Sequence, residues 1–125
     1  TLTGICRFDI ASELSTTRLY RRVVPDWTPY QADLHETGDA VIDRKRLTAG
    51  LKAYFQHHGI NADWTAIEAS SDERLVTSLA MVCPFSSADK QSLLQASGLI
   101  ERSKLLIGLV ETAILGAPDT GSRPN

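Results

Sequence analysis

From Asp43 almost to the end of the chain, apolar residues recur at spacings of three and four, the period of helices that bury one face. Asp43 suits an N-cap, and Leu47, Leu51, Tyr54, Phe55 and His58 follow on a single stripe. Gly50 interrupts that stripe at a cost of about 1 kcal/mol relative to Ala, and Gly59 supplies the stop. A short helix is expected after Asp63, burying Trp64 and Ile67. Ser70, with Glu73 three residues on, reads as a capping box. The helix it opens should turn Leu75, Val76, Leu79 and Val82 inward and end at Pro84. Ser86 to Asp89 opens the next helix in the same way, with Leu93 and Leu94 inward, and Ser97-Gly98 breaks it. The last helix carries Leu99, Ile100, Leu105, Leu106, Leu109, Val110, Ala113 and Ile114. Short connections make antiparallel neighbours, so residues 41–116 are expected to form an antiparallel helical bundle. Residues 117–125 have nothing to bury and are expected to be a disordered tail.

The first third follows a different pattern. Thr3 to Ile10 sets Ile5, Phe8 and Ile10 among polar neighbours and reads as a strand. Arg18 to Val24 reads as a second, stopped by Pro25, with Ala11 to Thr17 as an irregular hairpin connection. Two strands alone are marginal in water, and nothing else in the chain reads as a strand. Their partners are expected upstream of Thr1, in a longer protein of which this chain, without an initiator Met, is a fragment or processed product. Pro25, Asp26, Thr28, Pro29, Gly38 and Asp39 punctuate a linker-like span up to Ala40. Residues 1–40 thus read as the end of a β-domain and its connection. The expected class is α+β, mostly α: an N-terminal β-hairpin followed by the bundle.

Length and charge narrow the function. At 125 residues the chain is one domain, or a small domain with an appendage, and needs no metal or disulfide staple to fold. A net charge of −2 lacks the footprint of a general nucleic-acid binder. The apolar run Leu105 to Val110 ends at Glu111, far short of a bilayer span, and the N-terminus has no signal-peptide pattern. Cys6 and Cys83 read as two reduced, half-buried thiols, which points to the cytoplasm.

Motifs for chemistry are missing. None of the eight glycines precedes Lys, so there is no Walker A loop, and neither G-x-G-x-x-G nor G-x-S-x-G occurs. His57 and His58 are neighbours that project about 100° apart on a helix, and His35-Glu36 does not extend to H-E-x-x-H. Cys83 falls at a helix C-terminus, where the dipole raises a thiol pKa, and Cys6 falls in a strand. The expectation is no catalytic residue, no cofactor and no metal. Leu94 to Leu99 followed by a helix has the outline of a helix-turn-helix, but Arg102 and Lys104 are offset by Glu101 and Glu111. A bundle corner accounts for it better, and Arg21-Arg22 reads as a solvated strand edge. Trp27 and Tyr30 remain. They either seal a joint between the two parts or form an apolar patch for extended peptide.

Several segments together resemble a known family. Thr3-Gly4-Ile5-Cys6-Arg7-Phe8, Tyr20-Arg21-Arg22-Val23 and Trp27-Thr28-Pro29-Tyr30 with Asp33 resemble the end of the β-domain of the Lon protease N-terminal domain family. Asp43-Arg44, Leu51-Lys52-Ala53-Tyr54, Asp63-Trp64, Leu79-Ala80-Met81 with Pro84-Phe85, Lys90 to Leu94 and Glu101-Arg102 resemble the bundle of bacterial stand-alone Lon-domain proteins. The resemblance implies a pseudo-barrel β-domain, of which the hairpin is a remnant, followed by a bundle. It also implies a module that selects protein substrates without ATPase or protease domains. The expectation is therefore a non-enzymatic module binding unfolded or exposed polypeptide, with Trp27 and Tyr30 as peptide-binding anchors and neither nucleic acid nor membrane as partner. A helix-turn-helix-like DNA-binding regulator and a structural self-association domain are the alternatives.

Overall fold

Among the described residues, a two-stranded antiparallel hairpin precedes five α-helices, an α+β architecture dominated by helix. The computed structural model describes residues 1–35 and 41–116, and the chain divides into two units, Thr1–Asp39 and Ala40–Asn125. The segment 36–40 of the expected linker and the expected tail 117–125 lie outside the described residues.

In the first unit, β1 (Asp9–Leu14) pairs with β2 (Arg22–Asp26). Both strands lie later in the chain than their pattern predicts. Residues 1–8 are irregular, Ala11 to Leu14 belong to β1 rather than to the connection, and residues 15–21 make the loop. Pro25 does not stop β2 but sits inside it, opposite Ile10. In a two-stranded sheet every strand is an edge, and a proline costs no ladder bond where its nitrogen faces outward. The register slips between Ile10 and Ser12, so Ala11 is a bulge. Beyond β2, Thr28–Leu34 winds into a 3₁₀ segment where a linker is expected, entered through Pro29 and kinked at Tyr30 (φ −123°, ψ 19°).

The second unit holds α1 (Arg44–His58), α2 (Trp64–Ala69), α3 (Asp72–Val82), α4 (Ser87–Gln95) and α5 (Leu99–Leu115). Each of the first four opens on a side-chain cap. Asp43 accepts from the Arg46 amide at 3.1 Å, Asp63 from Ala66 at 3.1 Å, Ser71 from Arg74 at 3.3 Å and Ser86 from Asp89 at 3.1 Å. The cap of α3 is thus Ser71, not Ser70, and the expected capping box does not form. Ser70 instead closes α2, its hydroxyl donating to the Ala66 carbonyl at 2.8 Å. Cys83 ends α3 in an extended conformation (φ −63°, ψ 137°), as a residue before proline must. Gly59 ends α1 with φ +64°, a left-handed turn that suits glycine.

The core gathers Leu47, Leu51 and Tyr54 of α1, Leu75, Val76 and Leu79 of α3, Cys83, Leu93 of α4, and Leu106 and Val110 of α5. A Cβ at Gly50 would lie 3.2 Å from Val110 Cγ1, so glycine is what lets α1 approach α5. Arg46 and Glu111 bridge the same two helices at 2.6 Å. Arg44 reaches Asp72 at 2.5 Å and the Ile67 carbonyl at 2.7 Å, tying the start of α1 to the corner between α2 and α3.

Three expected inward residues are exposed: His58, Val82 and Leu94. His58 is at the last position of α1, where its ring meets that of Tyr54 at a tilt, 4.3 Å between centroids. Val82 lies at the outer edge of its stripe, and Cys83 takes the inward place beside it. The nine-residue α4 buries a stripe one residue wide, at Leu93. Trp64 and Ile67 are half-buried against the core. Ser103 is buried on α5, its hydroxyl satisfied by the Ile100 carbonyl at 2.7 Å.

Candidate functional site

The residues between Cys6 and Asp9 are held against the 3₁₀ segment by a dense polar cluster. The Arg7 guanidinium makes a two-pronged pair with Asp33, Nε to Oδ2 at 2.8 Å and NH2 to Oδ1 at 2.8 Å, and the Arg7 amide adds a third bond at 3.1 Å. Tyr30 and Asp33, three residues apart in the 3₁₀ segment, both meet Arg7. The guanidinium carbon sits 4.4 Å from the centre of the Tyr30 ring. Tyr30 Oη donates to Asp9 at 3.2 Å, and Cys6 Sγ donates to the Tyr30 carbonyl at 3.3 Å. Bonding to Asp33 raises the Arg7 pKa above its ordinary value, and burial followed by the Asp9 charge raises that of Tyr30.

Outside this cluster the hairpin presents an apolar face. Opposed residues share a face, so Ile10 stands with Pro25, and Val23 with Glu13. Phe8, just before β1, and Trp27, just after β2, continue that face and touch each other, with ring centroids 5.1 Å apart. The stripe is Phe8, Ile10, Val23, Pro25 and Trp27. Phe8 is 41% exposed, Ile10 59% and Trp27 47%, and no other strand covers them among the described residues. Glu13 and Arg21 close its far end with a paired contact at 2.7 and 2.8 Å, which lowers the Glu13 pKa.

The two sequence-predicted anchors therefore have different surroundings. Trp27 is accessible on the apolar face, whereas Tyr30 is only 8% exposed and its ring lies beneath Arg7. A bound segment can touch Trp27, and Tyr30 can serve it only by holding Arg7 and Asp9 in place. Ile10 was legible as a strand residue, whereas Phe8, expected in the same strand, lies just before it, and neither was legible as a neighbour of Trp27. That neighbourhood depends on the hairpin register, which local pattern does not encode.

The remaining candidates offer less. Arg102 donates to the Leu93 carbonyl at 3.2 Å and Lys104 lies 3.5 Å from Glu101, so α5 has no basic reading face. An open groove of 640 Å³ lies between the start of α1 and α5, lined by Ile42, Asp43, Arg46, Ile100, Lys104 and Ile107. Its cations are already answered by Glu111 and Glu101. Among the described residues no three His, Cys, Asp or Glu gather as metal ligands, and no helix is long and apolar enough to cross a membrane.

Both cysteines are free, but Cys6 is irregular rather than in a strand, and Cys83 is fully rather than half buried. Burial pushes the Cys83 thiol up to about 11 from 9.0, with Lys90 pulling the other way. The raised folded value means that the unfolded chain loses this proton first as pH rises. The contribution of Cys83 to bundle stability should then be complete below about pH 9 and fall towards pH 11. Urea unfolding at pH 7 and pH 10 checks this: the drop should shrink in Cys83→Ala. A thiol reagent should label Cys6 in the native protein and Cys83 only on unfolding.

No family model matches the chain, and neither a curated protein nor a solved structure matches it.

Proposed function

We propose that the chain is a non-enzymatic, cytoplasmic recognition module for unfolded or exposed polypeptide segments, similar in role to the substrate-selecting domain of Lon proteases. The observation that carries this reading is the apolar face of the hairpin. Phe8, Ile10 and Trp27 stand in water side by side, on a backbone braced from behind by the Arg7, Tyr30 and Asp33 cluster. An extended segment crossing this face removes contiguous apolar surface from water, which is the main driving force of such binding. No bond-breaking step is assigned to it.

The test is fluorescence anisotropy of a labelled, permanently unfolded polypeptide titrated with the chain. Saturable binding at micromolar levels is expected, and none at any accessible concentration removes the proposal. Trp27→Ala should weaken binding about tenfold while leaving the helical circular dichroism unchanged. If binding survives intact, the segment lies elsewhere; if binding and helix content fall together, Trp27 is a structural residue.

A further inference from the structure

We propose that the open edge of β1 takes up the bound segment as an added antiparallel strand, and that the charge polarity of the hairpin selects which segment fits. The favoured chemistry is an alternating apolar core with carboxylates at its N-terminal end and cations at its C-terminal end. This rests on the reading of the hairpin as a polypeptide-binding surface and adds a direction and a composition to it.

Two observations place the segment on β1. Among the described residues the strand is paired on one side only, and all six of its residues are exposed. It contains no proline, whereas β2 includes Pro25, which has no N–H to offer a neighbour. A strand added at β1 gains backbone bonds and lays alternate side chains beside Phe8 and Ile10.

Charge sets the direction. Arg18, Arg21 and Arg22 crowd the hairpin tip, and no acidic residue occurs between Leu14 and Val24. Arg21 is held by Glu13, and the Arg18 guanidinium lies 5.9 Å from the Tyr20 ring. Neither Arg18 nor Arg22 has an acidic partner among the described residues. At the other end Asp9 and Asp26 oppose each other on one face, and Arg7 is committed to Asp33. Six residues of strand separate the ends by about 20 Å. That exceeds the screening length of roughly 8 Å at physiological salt, so each end acts on what lies next to it. Because β1 runs from the acidic base to the basic tip, an antiparallel neighbour starts at the arginines and ends at the aspartates. Antiparallel pairing is also the more stable of the two ladders per residue.

The experiment uses two labelled peptides with one alternating apolar core. One carries Glu-Glu at its N-terminus and Lys-Lys at its C-terminus, and the other has these exchanged. Anisotropy with the whole chain should show the first binding about tenfold more tightly at low salt, with the gap closing as salt rises. Arg18→Glu with Arg22→Glu should reverse the preference. Should that pair disturb the hairpin, Asp26→Asn, which keeps a side-chain oxygen for the Thr28 amide, should narrow it from the opposite end. Equal binding of the two peptides overturns the polarity while leaving polypeptide recognition standing. Failure of both peptides and of the unfolded polypeptide overturns both. Sedimentation showing a dimer that neither peptide dissociates would assign the edge to a second copy, and the proposal falls.

Discussion

Leu51→Ala is expected to destabilise the helical unit by roughly 3 kcal/mol, the usual scale for emptying a fully buried leucine site. Leu51 is 0% exposed at the centre of α1, on the stripe with Leu47, Tyr54 and Phe55 that forms the α1 side of the core. The helix pair around it is already closely packed. One residue away, Gly50 already brings α1 so near α5 that a methyl group would meet Val110 at 3.2 Å. The cost combines lost burial with the packing lost around the space left behind. For a unit of this size the melting temperature should fall by roughly 12–24 °C, read by far-ultraviolet circular dichroism. Leu94→Ala serves as the control: Leu94 is exposed on α4, and its removal should change stability by no more than about 0.5 kcal/mol. Comparable losses in both variants would mean that the core is not where the structure places it.

Helices were legible in this chain because their ends are written locally. Asp43, Asp63 and Ser86 act as caps, Gly59 and Pro84 as stops, and each signal needs only its neighbours in sequence. The cap of α3 is where such local signals run out. Ser70 and Ser71 are chemically equivalent, and the choice between them is made by where α2 ends. The hairpin was harder. All six residues of β1 are exposed, so polar Ser12 and Glu13 can occupy a strand, and nothing forces a strict alternation of apolar and polar positions. The bulge at Ala11 then shifts the register, and a proline lies inside β2. For the same reason the pattern could place Trp27 and Tyr30 in one segment but could not say that one ring is open and the other covered. Their difference comes from Arg7 and Asp9, more than twenty residues earlier in the chain. The arrangement of Arg7 with Tyr30 and Asp33 left one faint trace, an aromatic and a carboxylate three apart after a proline.

Arg7→Ala should loosen the N-terminal unit by about 2 kcal/mol, below the 3–5 kcal/mol of a fully buried pair because some solvent reaches this one. Arg7 and Asp33 side chains are 15% and 23% exposed, so the pair is sheltered but not dry. Removing the guanidinium takes both side-chain bonds from the Asp33 carboxylate and strips the cation from the face of Tyr30. Arg7→Lys restores a charge but not the planar, two-pronged contact, and it should recover less than half of the loss. The two tryptophans allow the units to be read apart. In a Trp64→Phe background the only indole is Trp27, which packs on Phe8 directly beside Arg7. Its emission should shift towards that of a fully solvated indole at lower urea in Arg7→Ala, while the helical circular dichroism transition stays in place. The same variant should weaken polypeptide binding in step with the hairpin's own unfolding, since the apolar face exists only while Phe8 and Trp27 are held side by side. Unchanged Trp27 emission together with lost binding would instead make Arg7 a direct contact of the bound segment. Unchanged emission with unchanged binding would remove the polar cluster as the brace of this surface.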